Sequence, residues 1–254
     1  METTAAPSQH GVTDFQILVE GNDVTRNLQV VSISVNDEVN TVATAKLLMR
    51  DGEPAAEKFA VSEQDTFAPG KKLTLKLGDN QQKKTVFQGI VVKQCIRAKG
   101  ENASYLLVEC KHAALKMTLG RKNKYFENQQ DNQVLENVLS PHGLKGSVDA
   151  TSVQHKELVQ FNCTDWDFLV SRAEANGRLV FSEGEKLQVK KPVIGSPVAT
   201  LKYGRNILEL EAEMDARTQW KSVKSTAWDF AGQALAESES SSSPLTEQGN
   251  LTGS

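Results

Sequence analysis

Apolar and polar residues alternate between positions 71 and 111, and this pattern limits the fold of the chain more than any other. Leu73, Leu75 and Leu77 are separated by single threonine or lysine residues, and Gly78-Asp79-Asn80 then supplies turn-forming residues. A period of two in short runs that end at such residues predicts β-strands joined by tight turns. This part of the chain is therefore predicted to be all-β.

A glycine, Gly89, interrupts the longest of these runs, TVFQGIVVKQCIRA. Glycine inside a strand pattern indicates a bulge or a sharp bend of the kind found at barrel corners. Several short strands with turns at this spacing predict an antiparallel barrel or sandwich. We therefore expect a first β-barrel over residues 13–118, preceded by a flexible arm over residues 1–12.

The period of the pattern changes after this predicted barrel. Apolar residues recur at helical spacing in DNQVLENVLSPHG, which predicts a helix near residues 131–140. Asp131 is predicted to cap its N-terminus, and Pro141 and Gly143 are predicted to end it. With a second helix and the hairpin RLVFSEGEKLQVK, this helix predicts an α/β insert over residues 119–192.

The second helix, predicted near residues 165–176, gives its polar residues structural roles. Thr164 stands where its side chain can accept a hydrogen bond from the backbone N–H of Asp167, as an N-cap does. Asp165 and Asp167 both fall in the first turn, where the helix dipole favours negative charge. Gly177 can adopt the left-handed conformation that ends a helix. The inward face is predicted to consist of Trp166, Leu169, Val170 and Ala173.

Strand-like sequence returns over residues 193–236, but it supplies only about three strands, which are too few to close a barrel. Strands near 156–162, 178–181 and 186–190 would therefore share a second barrel with it or pack beside it. The Ser-rich end, residues 237–254, is predicted to be a disordered tail or a linker. The predicted fold class is mainly β with an α/β insert (α+β): two antiparallel β-barrel domains with a small helix-containing domain between them.

Charge and hydropathy exclude several classes of function. The 254 residues carry a formal net charge of −3. The densest basic cluster, Arg121, Lys122 and Lys124, is typical of a solvated loop, so no nucleic-acid partner is predicted. The N-terminus lacks the features of a secretory signal, and no apolar run approaches the roughly 20 residues of a membrane helix. We therefore predict no signal peptide and no transmembrane segment.

The residue types that usually carry chemistry form no recognisable site. Cys95, Cys110 and Cys163 lie far apart in apolar or alternating segments, which predicts buried free thiols in a chain made in a reducing cytoplasm. The histidines, which show no metal-ligand spacing, are His10, His112, His142 and His155. The sequence has no nucleophile-elbow, phosphate-loop or zinc-protease motif. We predict no enzyme activity, no small-molecule substrate, and no catalytic, cofactor-binding or metal-binding residues.

Two blocks of sequence have a distinctive order. The first spaces an acid, Phe, Arg, Glu, Gly and Phe along the second helix and the strand after it, at Asp165, Phe168, Arg172, Glu174, Gly177 and Phe181. The later block consists of Tyr203-Gly204, residues 208–216 and Ala227-Trp228-Asp229. With VFQGIVVK in the first barrel, these blocks resemble the hub portion of contractile-injection spike proteins: the VgrG family of type VI secretion and the phage tail hub and late-control D proteins. Glu174 stands one position earlier than is common in that family.

The resemblance covers about residues 13–236 and implies a fold of the tail-hub type. It implies a structural hub in the spike or baseplate of a type VI system, phage tail or phage-tail-like particle. In that family two barrels per chain form a pseudo-sixfold ring in a trimer, which adapts a hexameric tube to a trimeric spike. The implied partners are further copies of the chain, the tube protein, other baseplate proteins and a spike tip or needle, with an effector as an optional cargo.

The same resemblance implies assembly in the bacterial cytoplasm, in a particle that can be released or propelled out of the cell. Family spikes usually continue into an oligonucleotide-binding-like domain and a β-helical needle, whereas this sequence continues into its Ser-rich end. The needle is then either missing from this sequence or supplied by another polypeptide.

Two alternative functions come from other classes. A non-enzymatic β module that binds a carbohydrate or a peptide, using Trp220 or Trp228, would explain the strands but not the helical insert. A hydrolase would use Asp165 and Asp167, and would need a cleft and a raised pKa on one of the two carboxyl groups.

If the chain is a hub, two charged strands are candidates for the wall of the channel or for a subunit boundary. They are predicted at residues 71–78 and 207–216, and each has one charged and one apolar face. The charged side chains are Lys71, Lys72 and Lys76 on the first strand and Glu209, Glu211, Glu213 and Asp215 on the second.

Overall fold

A computed structural model of the chain gives two compact units, residues 1–194 and residues 195–254. The residues that it describes are 14–78, 83–99, 102–193, 195–197, 199–205, 207, 209–217, 220–230, 232–240 and 249. The predicted arm over residues 1–12 lies outside them, as does most of the predicted tail over residues 237–254.

The fold is mainly β with a small helical part, as the sequence predicts. The strands of the first half are β1 (Asp14–Val19), β2 (Asn22–Asp23), β3 (Gln29–Asn36), β4 (Thr44–Arg50), β5 (Lys72–Gly78), β6 (Lys83–Lys99) and β7 (Asn102–Lys111). The insert contains β8 (Lys122–Gln130), α1 (Asp131–Leu139), β9 (Gly146–Val148), β10 (Gln154–Cys163), α2 (Asp165–Ala175), β11 (Leu179–Glu183) and β12 (Lys186–Lys190). The second unit contains β13 (Lys224–Asp229) and β14 (Ala234–Glu239). Within the described ranges, neither α1 nor α2 has the length and apolar character that crossing a membrane requires.

The first seven strands form one antiparallel sheet in the order β2-β1-β5-β6-β7-β4-β3. Leu73 and Leu75 of β5 are buried, as their alternation predicts. One face of this sheet supplies nearly all of the core, with Ala43 and Phe67 added from connecting segments. An apolar sheet face must be covered, and these buried side chains cover one another on that face.

Gly89 lies next to the point where β6 changes its partner strand, and register shifts on both sides of it agree with the bulge that the sequence offered as one alternative. Up to Ile90 this strand pairs with β5, and from Ile90 onward it pairs with β7. A Cβ atom at Gly89 would lie 2.4 Å from the carbonyl oxygen of Lys111, so only glycine fits where the partners change. The register shifts on either side of Gly89, where β6 has an extra residue at Val86 and another at Val92.

The two edges of the seven-stranded sheet are β2 and β3. A closed barrel requires its edge strands to pair with each other. In the described part of the chain the pairing stops at both edges, so the two barrels remain predictions.

The insert builds a second core from helices and short sheets. β8 and β10 form an antiparallel ribbon, while β11 and β12 form a hairpin that β9 extends in parallel. Helices α1 and α2 pack against each other and against both sheets. The short 3-10 helix Ala113–Thr118 also contributes Ala114 and Met117 to this core, although the sequence assigned it to the first barrel.

The start of α1 differs from the prediction by one residue. The N-cap is Gln130, which forms a capping box with Gln133, and Gln133 Oε1 accepts the Gln130 N–H at 3.0 Å. Asp131, the predicted cap, is instead the first helical residue, and its buried carboxylate bonds to side chains from outside the helix. The helix ends at Leu139, close to the predicted stop.

The boundaries of α2 are confirmed. The Thr164 hydroxyl accepts a hydrogen bond from the Asp167 N–H at 3.0 Å, and Gly177 follows the helix with φ of 60°. The predicted inward face is buried at Trp166, Leu169 and Ala173 and partly buried at Val170.

In the second unit, Trp228 of β13 lies opposite Leu235 of β14, and every residue of both strands is exposed. β14 continues to Glu239, past the predicted start of the tail. The strand predicted over residues 207–216 was wrong for the residues that are described, since 209–216 join no sheet and Ile207 makes only an isolated bridge to Tyr203. Alternating apolar and polar residues favour a strand, but a sheet also requires a second segment that forms hydrogen bonds with it.

Candidate functional site

Asp165, the first residue of α2, has a fully buried side chain. Its carboxylate accepts hydrogen bonds from Lys122 and, at 2.9 Å, from Gln160, and it lies 2.6 Å from Nε2 of His142. Burial raises the pKa of Asp165, but the hydrogen bonds from these three neighbours outweigh burial and lower the pKa to about 2. The carboxylate is therefore ionised at neutral pH and compensated by its neighbours.

Asp131, the first residue of α1, is bound in a similar way. Arg172 donates to it from Nε at 2.7 Å and from Nη2 at 2.9 Å, and His155 Nε2 lies at 2.8 Å. Burial raises the pKa of Asp131, while hydrogen bonds from Arg172, His155 and Asn176 lower it to about 2. This carboxylate is also ionised and compensated inside the protein.

The two clusters connect opposite ends of the two helices. Asp131 at the start of α1 meets Arg172 in the last turn of α2, and Asp165 at the start of α2 meets His142 just after α1. A buried ion pair contributes to the choice of one arrangement of elements, because any other arrangement leaves a charge without its partner. Both clusters therefore fix the packing of the insert.

The hydrolase hypothesis required Asp165 and Asp167 to act together. Asp167 is exposed, whereas Asp165 is buried and bound by Lys122, Gln160 and His142. A general acid needs a raised pKa, but the pKa of Asp165 is lowered. The geometry of this pair gives no support to hydrolysis.

A polar cleft of about 290 Å³ lies where the β11–β12 turn meets β6. In its wall, Ser182 Oγ lies 2.9 Å from each carboxylate oxygen of Asp37, and its single hydroxyl proton is donated to this carboxylate. Gly184 approaches Gln88 so closely that a Cβ atom would lie 2.7 Å from Gln88 Oε1. These contacts hold the insert against the sheet. Within the described ranges, no group of three or more His, Cys, Asp or Glu side chains could hold a metal ion.

Asn40 makes the second contact between the sheet and the insert. Its backbone N–H donates to the Val180 carbonyl at 2.7 Å, and its Oδ1 accepts the Val180 N–H at 2.9 Å. Its Nδ2 donates to Glu174 Oε1 at 3.0 Å. This places Glu174, a member of the block that the sequence singled out, at the contact between the two halves of the first unit.

The histidines and cysteines have structural surroundings where the structure describes them. His112 is buried, and its Nδ1 accepts the Ala114 N–H at 3.2 Å; burial lowers its pKa. His10 lies outside the described residues. The cysteines are free, as predicted, but only Cys110 is buried, and burial raises its pKa to about 12. The prediction of burial was wrong for Cys95 and Cys163, which are half-buried.

The charged side chains that were predicted to line a channel or a subunit boundary differ in their ion-pair partners. Lys71 lies 2.8 Å from Asp65, and Lys72 lies 3.8 Å from Glu185. Among the predicted acidic residues, Asp215 pairs with Arg217 at 2.5 Å. Lys76, Glu209, Glu211 and Glu213 form no ion pair within the part of the chain that the structure describes.

Exposed apolar side chains, rather than a cleft, are the best candidates for function. Large exposed apolar patches mark binding surfaces. One set lies on the β8–β10 ribbon and includes Tyr125, Val159 and Phe161. A second set lies in the second unit at Leu201, Tyr203, Leu210, Met214, Trp220, Val223, Trp228, Phe230 and Leu235.

Sequence reasoning missed both buried carboxylate clusters. The partners of each carboxylate come from segments that are distant along the chain, so no short-range sequence pattern predicts these contacts. One signal was present: Asp165 and Arg172 both belong to the first distinctive block. Each of these two residues belongs to one of the clusters, so both have a structural role in the insert.

Comparison with solved structures shows the fold of phage-tail proteins. The prophage MuSo2 43 kDa tail protein from Shewanella oneidensis matches 95% of this chain and 75% of its own, with a TM-score of 0.68 at 16% identity. A tail protein from Neisseria meningitidis MC58 matches 96% of this chain and 70% of its own, with a TM-score of 0.65 at 14% identity.

A third similar structure is the E. coli c3393 protein, a component of the type VI secretion system with structural similarity to the T4 tail proteins gp27 and gp5. It matches 85% of this chain and 57% of its own, with a TM-score of 0.53 at 11% identity. The predicted resemblance to tail-hub proteins is confirmed at the level of the fold. No curated protein matches the chain in sequence. A family model described as the Alg8 N-terminal domain matches residues 9–254.

Proposed function

We propose that this chain, which belongs to the Alg8 N-terminal domain family, is a structural protein of the tail or baseplate of a contractile injection particle. The observation that carries the proposal is the fold, which matches a prophage tail protein over 95% of the chain and a second tail protein over 96%. The buried carboxylates add support, because neighbouring cations hold them in place and leave them no catalytic role.

The finer form of the proposal is a trimeric hub that adapts a hexameric tube to a trimeric spike. In this form residues 13–118 and 193–236 belong to two barrels, and the insert over 119–192 lies between them in sequence. The exposed strands of the second unit support a role in assembly, because an isolated two-stranded hairpin is at best marginally stable in water. Such a hairpin requires cover from other strands or other chains.

The partners that follow from this role are further copies of the chain, the tube protein, other baseplate proteins and a spike tip or needle, with an effector as an optional cargo. Assembly takes place in the bacterial cytoplasm, and the particle carries the chain out of the cell. The third similar structure supports this range of partners, since that protein is itself a component of a secretion system.

Deletion of the gene from the source cell tests the proposal. We expect no assembled contractile particles by electron microscopy, and we expect a plasmid copy of the wild-type chain to restore them. Thr164→Ser, which keeps the hydroxyl that caps α2, is the matched control and should restore particles equally. Normal particle number and length without the gene would overturn the proposed function.

A further inference from the structure

The β8–β10 ribbon has one buried and one exposed face. Phe126 and Leu158 lie opposite each other and turn into the core of the insert. The adjacent pair, Tyr125 and Val159, therefore points outward, and Phe161 follows on the same side two residues later. Tyr125 is 70% exposed and Phe161 is 78% exposed. Large apolar side chains thus lie side by side in solvent on a regular element.

A pair of carboxylates borders this apolar patch. Glu127 lies directly opposite Glu157. This pair is two residues along each strand from the Tyr125–Val159 pair, and therefore lies on the same outward face. Both glutamates are exposed, and neither has an ion pair within the described ranges. Like charges directly opposite each other destabilise a sheet. A cation supplied from outside the ribbon would remove this repulsion.

The chain carries a segment with complementary chemistry at residues 220–224. Trp220 is 62% exposed and Val223 is 59% exposed. Between them lies Lys221, which is exposed and has no ion pair in the part of the chain that the structure describes. The other cation of the segment, Lys224, is already paired with Glu237 at 2.8 Å. The segment therefore offers two apolar side chains and one uncompensated cation.

We propose that the outward face of the ribbon binds residues 220–224 of a second copy of this chain. We define this ribbon face as Tyr125, Glu127, Glu157, Val159 and Phe161. Trp220 and Val223 cover its apolar part, and Lys221 lies between its two carboxylates. A closed ring of identical chains needs such heterologous contacts, in which one patch meets a different patch of the next copy. The inference rests on the proposed structural role and assigns residues to its self-association.

A zero-length carbodiimide cross-linker tests the predicted ion pairs directly, because it joins a carboxylate to an amine only where the two touch. Purified chain that is uniformly labelled with ¹⁵N is mixed with unlabelled chain before cross-linking and mass spectrometry. We expect peptides that join Glu127 or Glu157 to Lys221 and that combine one labelled and one unlabelled copy. The proposal would be overturned if both peptides of every such cross-link carried the same isotope label, or if the two glutamates were joined to another segment.

Sedimentation velocity supplies the second readout. The double variant Tyr125→Ser/Phe161→Ser should weaken self-association at least tenfold, and Glu127→Lys/Glu157→Lys should do the same. Adding Lys221→Glu to the charge-reversed variant should restore association, because the charges are then exchanged. Ile96→Thr, which removes an exposed apolar side chain from β6, is the matched control and should leave association unchanged.

Failure of this inference is distinguishable from failure of the proposed function. A wild-type chain that stays monomeric, or ribbon-face variants that associate as the wild type does, would overturn the assigned contact alone. The opposite result would overturn the proposed function alone. In that case the variants weaken self-association of the purified chain, but cells form normal particles without the gene. A different protein bound to the ribbon face would also remove the second copy as its occupant.

Discussion

Arg172 in the last turn of α2 donates two hydrogen bonds, at 2.7 and 2.9 Å, to the Asp131 carboxylate at the start of α1. This bidentate contact joins the ends of the two helices and leaves the carboxylate only 2% exposed. Removing the arginine leaves a buried charge without its main partner, which is far more costly than losing an exposed ion pair. The stability of the insert should therefore be sensitive to this contact.

Arg172→Ala should lower the free energy of unfolding by about 3 kcal/mol. Arg172→Lys should fall between this variant and the wild type, because lysine keeps the charge but cannot form the two-pronged contact. Urea denaturation followed by circular dichroism measures both. Arg97→Ala, on an exposed part of β6, is the control and should change stability by less than about 0.5 kcal/mol. Equal effects at the two arginines would contradict the prediction.

The lowered pKa values of Asp131 and Asp165 predict how stability depends on pH. A carboxyl group whose pKa is lower in the folded state stabilises the fold above its unfolded pKa, and this stabilisation disappears as the pH falls through the folded value. With folded values of about 2, the free energy of unfolding should decrease from about pH 4 towards pH 2. Asp165→Asn should make this decrease less steep, since the variant has one fewer carboxylate whose protonation is linked to unfolding.

Denaturation at a series of pH values checks this prediction. Glu57→Gln, which replaces an exposed carboxylate, is the control and should keep the wild-type slope. If Asp165→Asn shows the same slope as the wild type between pH 4 and pH 2, the assignment of that stability to Asp165 is wrong.

Gly89→Ala should destabilise the seven-stranded sheet by about 3 kcal/mol, because its Cβ would collide with the Lys111 backbone where β6 changes its partner strand. Thermal unfolding by calorimetry measures the loss. Gly195→Ala is the matched control, since a Cβ there meets nothing within 4 Å. A Gly89→Ala variant as stable as the wild type would show that the backbones of β6 and β7 can separate at this point without cost.

Asn40→Ala should loosen the contact between the sheet and the insert. The variant loses the side-chain bonds to Val180 and Glu174, and it places alanine at φ of 60°, a conformation that costs of the order of 1 kcal/mol. We expect faster cleavage by trypsin between the sheet and the insert, and a free energy of unfolding that is lower by about 2 kcal/mol. Asn40→Gly relieves the backbone strain, so it should recover part of that loss and thereby separate the two causes.

Local features of this fold follow from the sequence. The alternation of Leu73 and Leu75 specifies β5 because neighbouring residues in a strand face opposite sides. Thr164 and Gly177 specify the ends of α2 because caps need only residues a few positions apart. Gly89 identifies the irregular part of β6 because a missing Cβ is itself a local property. Each of these requirements is met within one element or its immediate neighbours.

Other features depend on residues that meet only after folding. Asp131 was predicted as a cap, but Arg172 and His155 bind its carboxylate, and Gln130 caps the helix instead. Residues 207–216 alternate as a strand does, yet those that are described have no sheet partner, because pairing depends on a second segment. Sequence periodicity determines which face of an element is apolar. The tertiary structure alone decides what that face meets, since burial and hydrogen bonding are properties of two segments brought together.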